Sequence, residues 1–362
     1  MRRKRALLVY TAYSTFVRED YDILSAEYSV FKYHFMASKA FMPFLYSIIK
    51  QLLFCIFMLW RYSVIYIWFA DYHAILPVFF GKLFRKRTVI VVGGYDAMYI
   101  PVIDYGVFKR ENSIRARSVR YAFRNVDLII PVDESLVHSV NYYADPNEEG
   151  FIVGVTHFVR GIDEKIEVVP TGYHPDFWTY DESKVKRQSV ITIAGANDEV
   201  TFRRKGLDFL MEIAKRMPDI PFYIAGLHGV MEEKAKREAS KNVHFLGYID
   251  YGKLPALVGE HKVFAQFSLC EGLPNSLCEA MLCGCIPVGS AVNGIPKGIG
   301  SAGFVLQKKD VNEAVNLIRL ALQQDEKLGE RGRQHIIENF HYDLRREKIL
   351  ELINSSSHAK SI

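Results

Sequence analysis

Apolar and polar positions follow two periods along this chain, and the change from one to the other marks out its elements. In the second half, apolar runs of strand length fall at 189–194 (SVITIA), 221–225 (PFYIA), 243–246 (VHFL), 263–267 (VFAQF), 285–288 (CIPV) and 303–306 (GFVL). Between them apolar residues recur at helical spacing, as Leu207, Leu210, Met211, Ala214 and Met217 do in GLDFLMEIAKRM. Further helices are predicted at 230–240, 252–259, 275–283 and 310–323. Strands alternating with helices predict a parallel sheet covered on both faces.

The first half repeats the rhythm less cleanly. Strands are predicted at 6–10 (ALLVY), 64–68 (VIYIW), 88–92 (TVIVV), 127–131 (DLIIP) and 166–169 (IEVV), and the stretch 140–165 yields no assignment. Two prolines and a glycine in Val169-Pro170-Thr171-Gly172-Tyr173-His174-Pro175 then break the pattern and mark a boundary. The fold class is therefore α/β, with two Rossmann-like, doubly wound domains, 1–170 and 171–340. Such domains leave a cleft between the carboxyl ends of their sheets, where ligands bind. A last helix at 341–353, in the segment 341–362, is expected to cross back to the first domain.

Composition narrows the class. Apolar residues at 49% and charged residues at 24% suit a globular protein and exclude a largely disordered chain. The net charge of +5 is uneven: residues 1–124 carry 19 Lys/Arg against 8 Asp/Glu, and the remainder 27 against 33. A basic half joined to a mildly acidic half suggests a surface built for anions. Four of the five cysteines, Cys270, Cys278, Cys283 and Cys285, crowd together, but their spacing lacks the paired knuckles of a zinc site. Small buried thiols and a reducing cytoplasm are the expectation. No secretory signal is visible, because the apolar run behind the basic start Met1-Arg2-Arg3-Lys4-Arg5 ends at Tyr10.

Residues 40–81 are strongly apolar and aromatic. Lys50, Arg61 and Asp71 cut them into uncharged pieces of ten, ten, nine and ten residues, short of the ~20 that a spanning helix needs. An interfacial or core helix followed by a buried strand fits better.

Two stretches carry candidate chemistry. Glu271-Gly272-Leu273-Pro274-Asn275-Ser276-Leu277-Cys278-Glu279 follows a strand and opens a helix, with Pro274 suited to its first turn. Free amides there make an anion site, and nearby carboxylates suit sugar hydroxyls. The bland alternative is an acid favouring the helix dipole plus a solvated glutamate. Phe202-Arg203-Arg204-Lys205-Gly206 places three cations after the first strand of the second domain, where they suit a pyrophosphate; a solvated basic loop is the alternative. Asp20-Tyr21-Asp22 imitates a metal-binding Asp-x-Asp, but it lies in a helical pattern and is expected to be a solvated face.

In this order, with CEAMLCGCIPVGS, VPTGYHPDFW and Asn242-Val243-His244-Phe245-Leu246-Gly247, the motifs resemble the retaining glycosyltransferases of family 4, which have the GT-B fold. The likeness is strong over about 165–345 and looser over 64–135. It implies that Arg204 and Lys205 neutralise a donor diphosphate, with amides in the donor-binding run Gly272, Leu273, Pro274 and Asn275 completing the cradle. It also implies that Glu279 holds the ribose and that Glu271, a catalytic candidate, contacts the transferred sugar. Fixed cations would stabilise the leaving group, so no metal and no cofactor besides the nucleotide-diphosphate sugar is expected.

The sequence also departs from that family. Tyr10-Thr11-Ala12-Tyr13-Ser14-Thr15 stands where many relatives have a glycine-rich loop, Gly93-Gly94-Tyr95-Asp96 lacks the family histidine, and Gly294-Ile295-Pro296-Lys297 lacks a further acid. Asp96 is a second catalytic candidate, and Asp71, His73 and Tyr95 are candidates for the acceptor side.

The expected function is transfer of a sugar to a glycan or lipid-linked acceptor, with retention, in envelope polysaccharide or glycolipid synthesis. A GT-B sugar-nucleotide epimerase and a catalytically silent nucleotide-sugar-binding protein are the alternatives. A dehydrogenase is excluded for want of G-x-G-x-x-G after an early strand, and no nucleic-acid partner is expected. The protein is expected to sit peripherally on the cytoplasmic face of an anionic membrane. Phe41, Phe44, Leu45, Ile48, Leu52 and Phe57 would enter the interface, supported by Lys50, Arg61, Arg2–Arg5 and Arg85–Arg87.

Overall fold

The computed structural model describes residues 3–145, 147 and 149–355; Met1 and Arg2, part of the basic start, lie outside them. Five parallel strands form the first sheet: β1 (Arg5–Tyr10), β2 (Ser29–His34), β3 (Val64–Trp68), β4 (Arg87–Val92) and β5 (Leu128–Pro131), in the order β2-β1-β3-β4-β5. A small antiparallel hairpin follows, β6 (Ser139–Asn141) with β7 (Phe151–Val153). The second sheet holds β8 (Arg187–Ile193), β9 (Phe222–Ala225), β10 (Val243–Gly247), β11 (His261–Gln266), β12 (Ile286–Ser290) and β13 (Phe304–Leu306), in the order β10-β9-β8-β11-β12-β13. All six are parallel.

The central strands read as near-continuous apolar runs because helices cover both of their faces. Every residue of β3 (VIYIW), β5 and β12 is buried. Strand β2 (SVFKYH) escaped sequence analysis because it lies at the sheet edge with a largely exposed pattern. Two expectations need correction. At 166–169 only Ile166 bridges to the sheet, at Ile129, with Val169 N–H donating to the Pro131 carbonyl, so the segment is an extended margin rather than a full strand. The predicted helix at 252–259 begins as a 3-10 turn, Tyr251–Lys253, before helix Leu254–Gly259.

The chain passes twice between the sheets, and the two passages lie side by side. Tyr173 N–H donates to the Phe340 carbonyl, and Tyr342 N–H to the Tyr173 carbonyl. The closing helix, Tyr342–Asn354, then packs beside helix α1 (Thr15–Glu27) of the first domain. Its Arg345 pairs with Asp20, which is fully buried. The expectation of a solvated face at Asp20 is thus wrong, although Asp22 is exposed. A helical period alone cannot show that a carboxylate on the inner face has a buried cationic partner.

Helix α2 (Phe41–Met58) inverts the usual amphipathic arrangement. Its buried positions are Ser47, Gln51 and Cys55, with Gln51 Nε2 donating to the His73 carbonyl at 2.9 Å. Its exposed positions include Phe41, Met42, Tyr46 and Phe57, which are 63–72% accessible. Of the side chains expected at a membrane, Phe44, Ile48 and Leu52 are instead half-buried. Phe44 packs edge-on against Tyr72 of helix α3 (Tyr72–Leu83), with ring centroids 5.1 Å apart.

Candidate functional site

A cavity of about 340 Å³ lies between the two domains. The first domain contributes residues at or just past the ends of its strands, Trp68, Phe69, Gly93 and Val132, together with Thr15 and Phe16 at the start of α1. The second contributes Lys205, Tyr251, Leu254, the run from Glu271 to Ser276, and Glu279. Both sheets thus point their carboxyl ends at one cavity, as ligand-binding sites in open α/β sheets do.

The basic element is seated by backbone. Helix Glu199–Arg204 ends at Gly206, whose φ of +70° lies in the left-handed region. A Cβ at Gly206 would stand 2.0 Å from the Phe267 carbonyl oxygen, so only glycine lets this turn approach the end of β11. Leu269 N–H donates to the Arg204 carbonyl at 2.8 Å, fastening the turn to the same loop. Lys205 Nζ therefore reaches Glu271 Oε1 at 2.6 Å, with Arg204 Nη1 3.5 Å from the same oxygen. Burial works against the charge of Glu271, but Lys205 and Arg204 together outweigh it and hold the carboxyl below its usual range. Burial likewise lowers Lys205, and Glu271 offsets only part of that. Lys205 is thus a paired, largely buried cation rather than the exposed lysine a basic loop suggests. Arg204 lies behind it, 5.1 Å from the Tyr105 ring centroid, and does not line the cavity.

A polar chain fixes Glu271 from below. Gln266 Nε2 donates to Ser268 Oγ at 2.7 Å, Ser268 Oγ donates to Glu271 Oε1 at 2.8 Å, and Ser276 Oγ donates to Gln266 Oε1 at 3.0 Å. Glu271 N–H donates to Asn293 Oδ1 at 3.2 Å, and Asn293 in turn donates to Ser135 of the first domain. Gln266, Ser268 and Asn293 belong to none of the motifs read from the sequence. The polar pair at the end of the apolar run VFAQFS was the available signal.

Helix Asn275–Leu282 starts at the cavity with Pro274 as its N-cap. The amides of Asn275 and Ser276 occupy its first two positions and have no acceptor within the helix. Asn275 also links the domains, accepting from Tyr173 Oη at 3.2 Å and donating to Thr15 Oγ1 at 3.4 Å. Glu279, one turn further, is buried and neutral-leaning: burial first and Glu19 second push its carboxyl up to about 8. Gly272 brings the domains into backbone contact, since a Cβ there would lie 2.9 Å from the Gly93 carbonyl oxygen.

The first-domain candidates fall differently. Asp96 is fully buried; its Oδ2 accepts from Ala70 N–H at 2.8 Å and its Oδ1 from the Gly93 and Gly94 amides. Burial pushes it up to about 7. It ties the Gly93-Gly94 loop to the end of β3 and does not line the cavity, so its assignment as a catalytic group is corrected to a positioning one. His73 is a core residue, its Nε2 3.0 Å from the Trp68 carbonyl oxygen and its pKa lowered by burial. Asp71 N-caps α3 and pairs with Arg115, which sequence analysis overlooked because it falls in no motif. Tyr95 stands between Arg115, 5.2 Å from its ring centroid, and the Tyr105 ring. Neither Asp71, His73 nor Tyr95 lines the cavity. All five cysteines are free and buried.

This architecture is shared with solved structures. It matches sucrose-phosphate synthase from Thermosynechococcus elongatus with a TM-score of 0.70 at 16% identity, covering 97% of this chain and 98% of that one. It matches Anabaena HepE in complex with UDP with a TM-score of 0.69 at 15% identity, covering 98% and 100%. In sequence, the chain is 23% identical over 292 residues to a phosphatidylinositol N-acetylglucosaminyltransferase component of Arabidopsis thaliana. That likeness covers 73% of this chain and 61% of the relative. Over 134 residues the chain is also 29% identical to O-antigen chain mannosyltransferase B of Escherichia coli, covering 34% of this chain and 35% of that one. Residues 199–338, which carry Lys205, Glu271 and Glu279, match the glycosyl transferases group 1, and the two-domain architecture is the GT-B fold of the solved structures.

Proposed function

We propose that the protein moves a sugar from a nucleotide-diphosphate sugar to a glycan or lipid-linked acceptor, with retention of anomeric configuration and without a metal ion. The observation that carries this reading is the Lys205–Glu271 pair at the mouth of helix Asn275–Leu282, facing the first domain across the cavity. A diphosphate entering there meets Lys205 and the amides of Asn275 and Ser276. These groups are fixed before reaction, so they stabilise the charge developing on the leaving diphosphate without reorganising. Displaced from Lys205, Glu271 is free to take hydrogen bonds from the transferred sugar. Glu279 lies one turn further along the helix and lines the same cavity, where it would take the ribose hydroxyls. The UDP bound to Anabaena HepE supports a nucleotide donor. The test is a thermal-shift and hydrolysis screen of UDP-, GDP- and ADP-sugars with and without EDTA. One of them should stabilise the protein and turn over in EDTA; a strict divalent-metal requirement contradicts the reading.

In this reading the protein works at the cytoplasmic face of an anionic membrane, in envelope polysaccharide or glycolipid assembly. The outward apolar face of α2 supports that placement, together with exposed Trp60, Lys50 and Arg61. The segment Phe41–Arg61 is long and apolar enough to cross a membrane by length and composition. However, its inner side packs on α3, which suits a helix lying in the interface. Flotation with anionic vesicles should weaken in Phe41→Ser/Phe57→Ser, two exposed positions whose change leaves the core intact; wild-type protein that fails to float contradicts it.

A further inference from the structure

A second cavity, of about 530 Å³, lies at the opposite end of the first sheet, where the strands begin. It opens beside Lys4, Val64, Arg87 and Asp127, which precede or start β1, β3, β4 and β5. Six residues of β4 separate it from the catalytic cleft, about 20 Å at ~3.3 Å per residue. Its walls carry five cations, Lys4, Lys82, Arg85, Lys86 and Arg87, against one acid. That acid is already committed, since Asp127 Oδ2 accepts from both the amide and the hydroxyl of Thr88 at 2.8 Å. Nearby Glu27 accepts from Asn354 on the closing helix.

Lys82 donates to Asn125 Oδ1 at 3.0 Å, and none of the other four cations has an acidic partner among the described residues. Among the described residues Lys4, Arg85 and Lys86 make no side-chain hydrogen bond or ion pair. Arg87 Nη2 donates to the Leu352 carbonyl, but its Nε is buried without an acceptor. A buried donor of this kind is rarely left unmatched. The dipole of α3 favours cations at its carboxyl end, yet Lys4 and Arg87 come from strands and lie outside that helix.

Arg85 sharpens the case. Lys86 N–H donates to the Gly81 carbonyl and Arg85 N–H to the Lys82 carbonyl, at 2.8 and 3.1 Å, the paired bonds that close a helix at a left-handed residue. Glycine is the usual occupant, and here arginine holds φ +53° at a cost in backbone strain. A merely structural turn is better served by glycine.

We propose that this pocket binds a doubly charged phosphate group, a phosphomonoester or diphosphate, supplied either by a lipid headgroup or by a soluble compound. The site is separate from the donor cleft and does not rest on the membrane reading of α2. Two probes distinguish the sources: inorganic pyrophosphate, titrated in a Lys205→Ala background so that the cleft is disabled, and flotation with phosphatidic acid vesicles against phosphatidylserine vesicles of equal charge.

The informative variants are Arg85→Gly, which suits the backbone and should fold at least as stably, and Lys86→Ala. Each should weaken binding of at least one probe roughly tenfold while donor hydrolysis in an otherwise wild-type chain is unchanged. Loss with phosphatidic acid alone assigns a lipid source, and loss with pyrophosphate assigns a soluble one. Wild-type binding of both probes by both variants overturns the proposal. So does pyrophosphate that never binds together with phosphatidic acid floating no more protein than phosphatidylserine. A Phe41→Ser/Phe57→Ser protein that floats like wild type counts against the membrane reading of α2, and if it still binds pyrophosphate it leaves this pocket standing.

Discussion

Arg345 and Asp20, 325 residues apart in sequence, meet through two hydrogen bonds of 2.8 Å, Nε to Oδ1 and Nη2 to Oδ2. The pair is almost wholly buried. Asp20 Oδ2 also accepts from Tyr66 Oη and Trp68 Nε1, while Arg345 Nη1 donates to the carbonyls of Val169 and Pro170. One guanidinium thus holds both interdomain passages against the first sheet. Removing it strands a carboxylate in the core, so Arg345→Met should destabilise the protein by about 3–5 kcal/mol. Denaturant unfolding measures this, and Asp20→Asn in the Arg345→Met background should recover part of the loss.

Glu19, one residue before that pair, gives the protein a pH dependence. Burial first and Asp20 second push its carboxyl up to about 8, from an ordinary 4.5. Between those values the folded chain keeps the proton and the unfolded chain has lost it. The stabilising contribution is therefore complete below about pH 4.5 and is lost as pH rises through about 8. Melting temperature should fall from pH 5 to pH 8, and Glu19→Gln should flatten that slope and exceed wild type at pH 8. An unchanged slope in Glu19→Gln means that Glu19 is not the group responsible.

Gly206→Ala tests how the basic element is seated. Its Cβ would collide with the Phe267 carbonyl and impose a left-handed φ on alanine. It should cost roughly 1–3 kcal/mol of stability and, by moving Lys205 off Glu271, weaken donor binding as well. Urea unfolding and nucleotide titration on the same preparation separate the two effects. A variant that binds nucleotide normally would show that the turn does not position Lys205.

Much of this was legible in the sequence for physical reasons. The strands 64–68, 87–92 and 222–225 are buried on both faces, and a continuous apolar run records that directly. Lys205, Glu271 and Glu279 fall in one cavity because each follows a strand end or opens a helix, positions that punctuation residues such as Gly206 and Pro274 announce. Edge strand β2 left no such record, since half-exposed residues carry a weak pattern. Asp96 and His73 misled for a related reason: residue type and place past a strand are the same for a group facing the cleft and one turned inward to a backbone amide or carbonyl. Partners contributed by distant segments, Arg345 for Asp20 and Asn293 for Glu271, have no local signature.

The most direct measurement of the account is calorimetric titration of the nucleoside diphosphate whose sugar the donor screen selects. It should bind wild type and bind Lys205→Ala about 1.5–3 kcal/mol more weakly, the worth of one charge-assisted contact. Arg204 remains 3.5 Å from Glu271, so the variant should stay folded. Glu279→Gln should also weaken binding, whereas Glu271→Gln should leave nucleotide affinity nearly intact and lower turnover of the sugar donor. Wild-type affinity in a folded Lys205→Ala protein would place the diphosphate elsewhere and contradict the central claim.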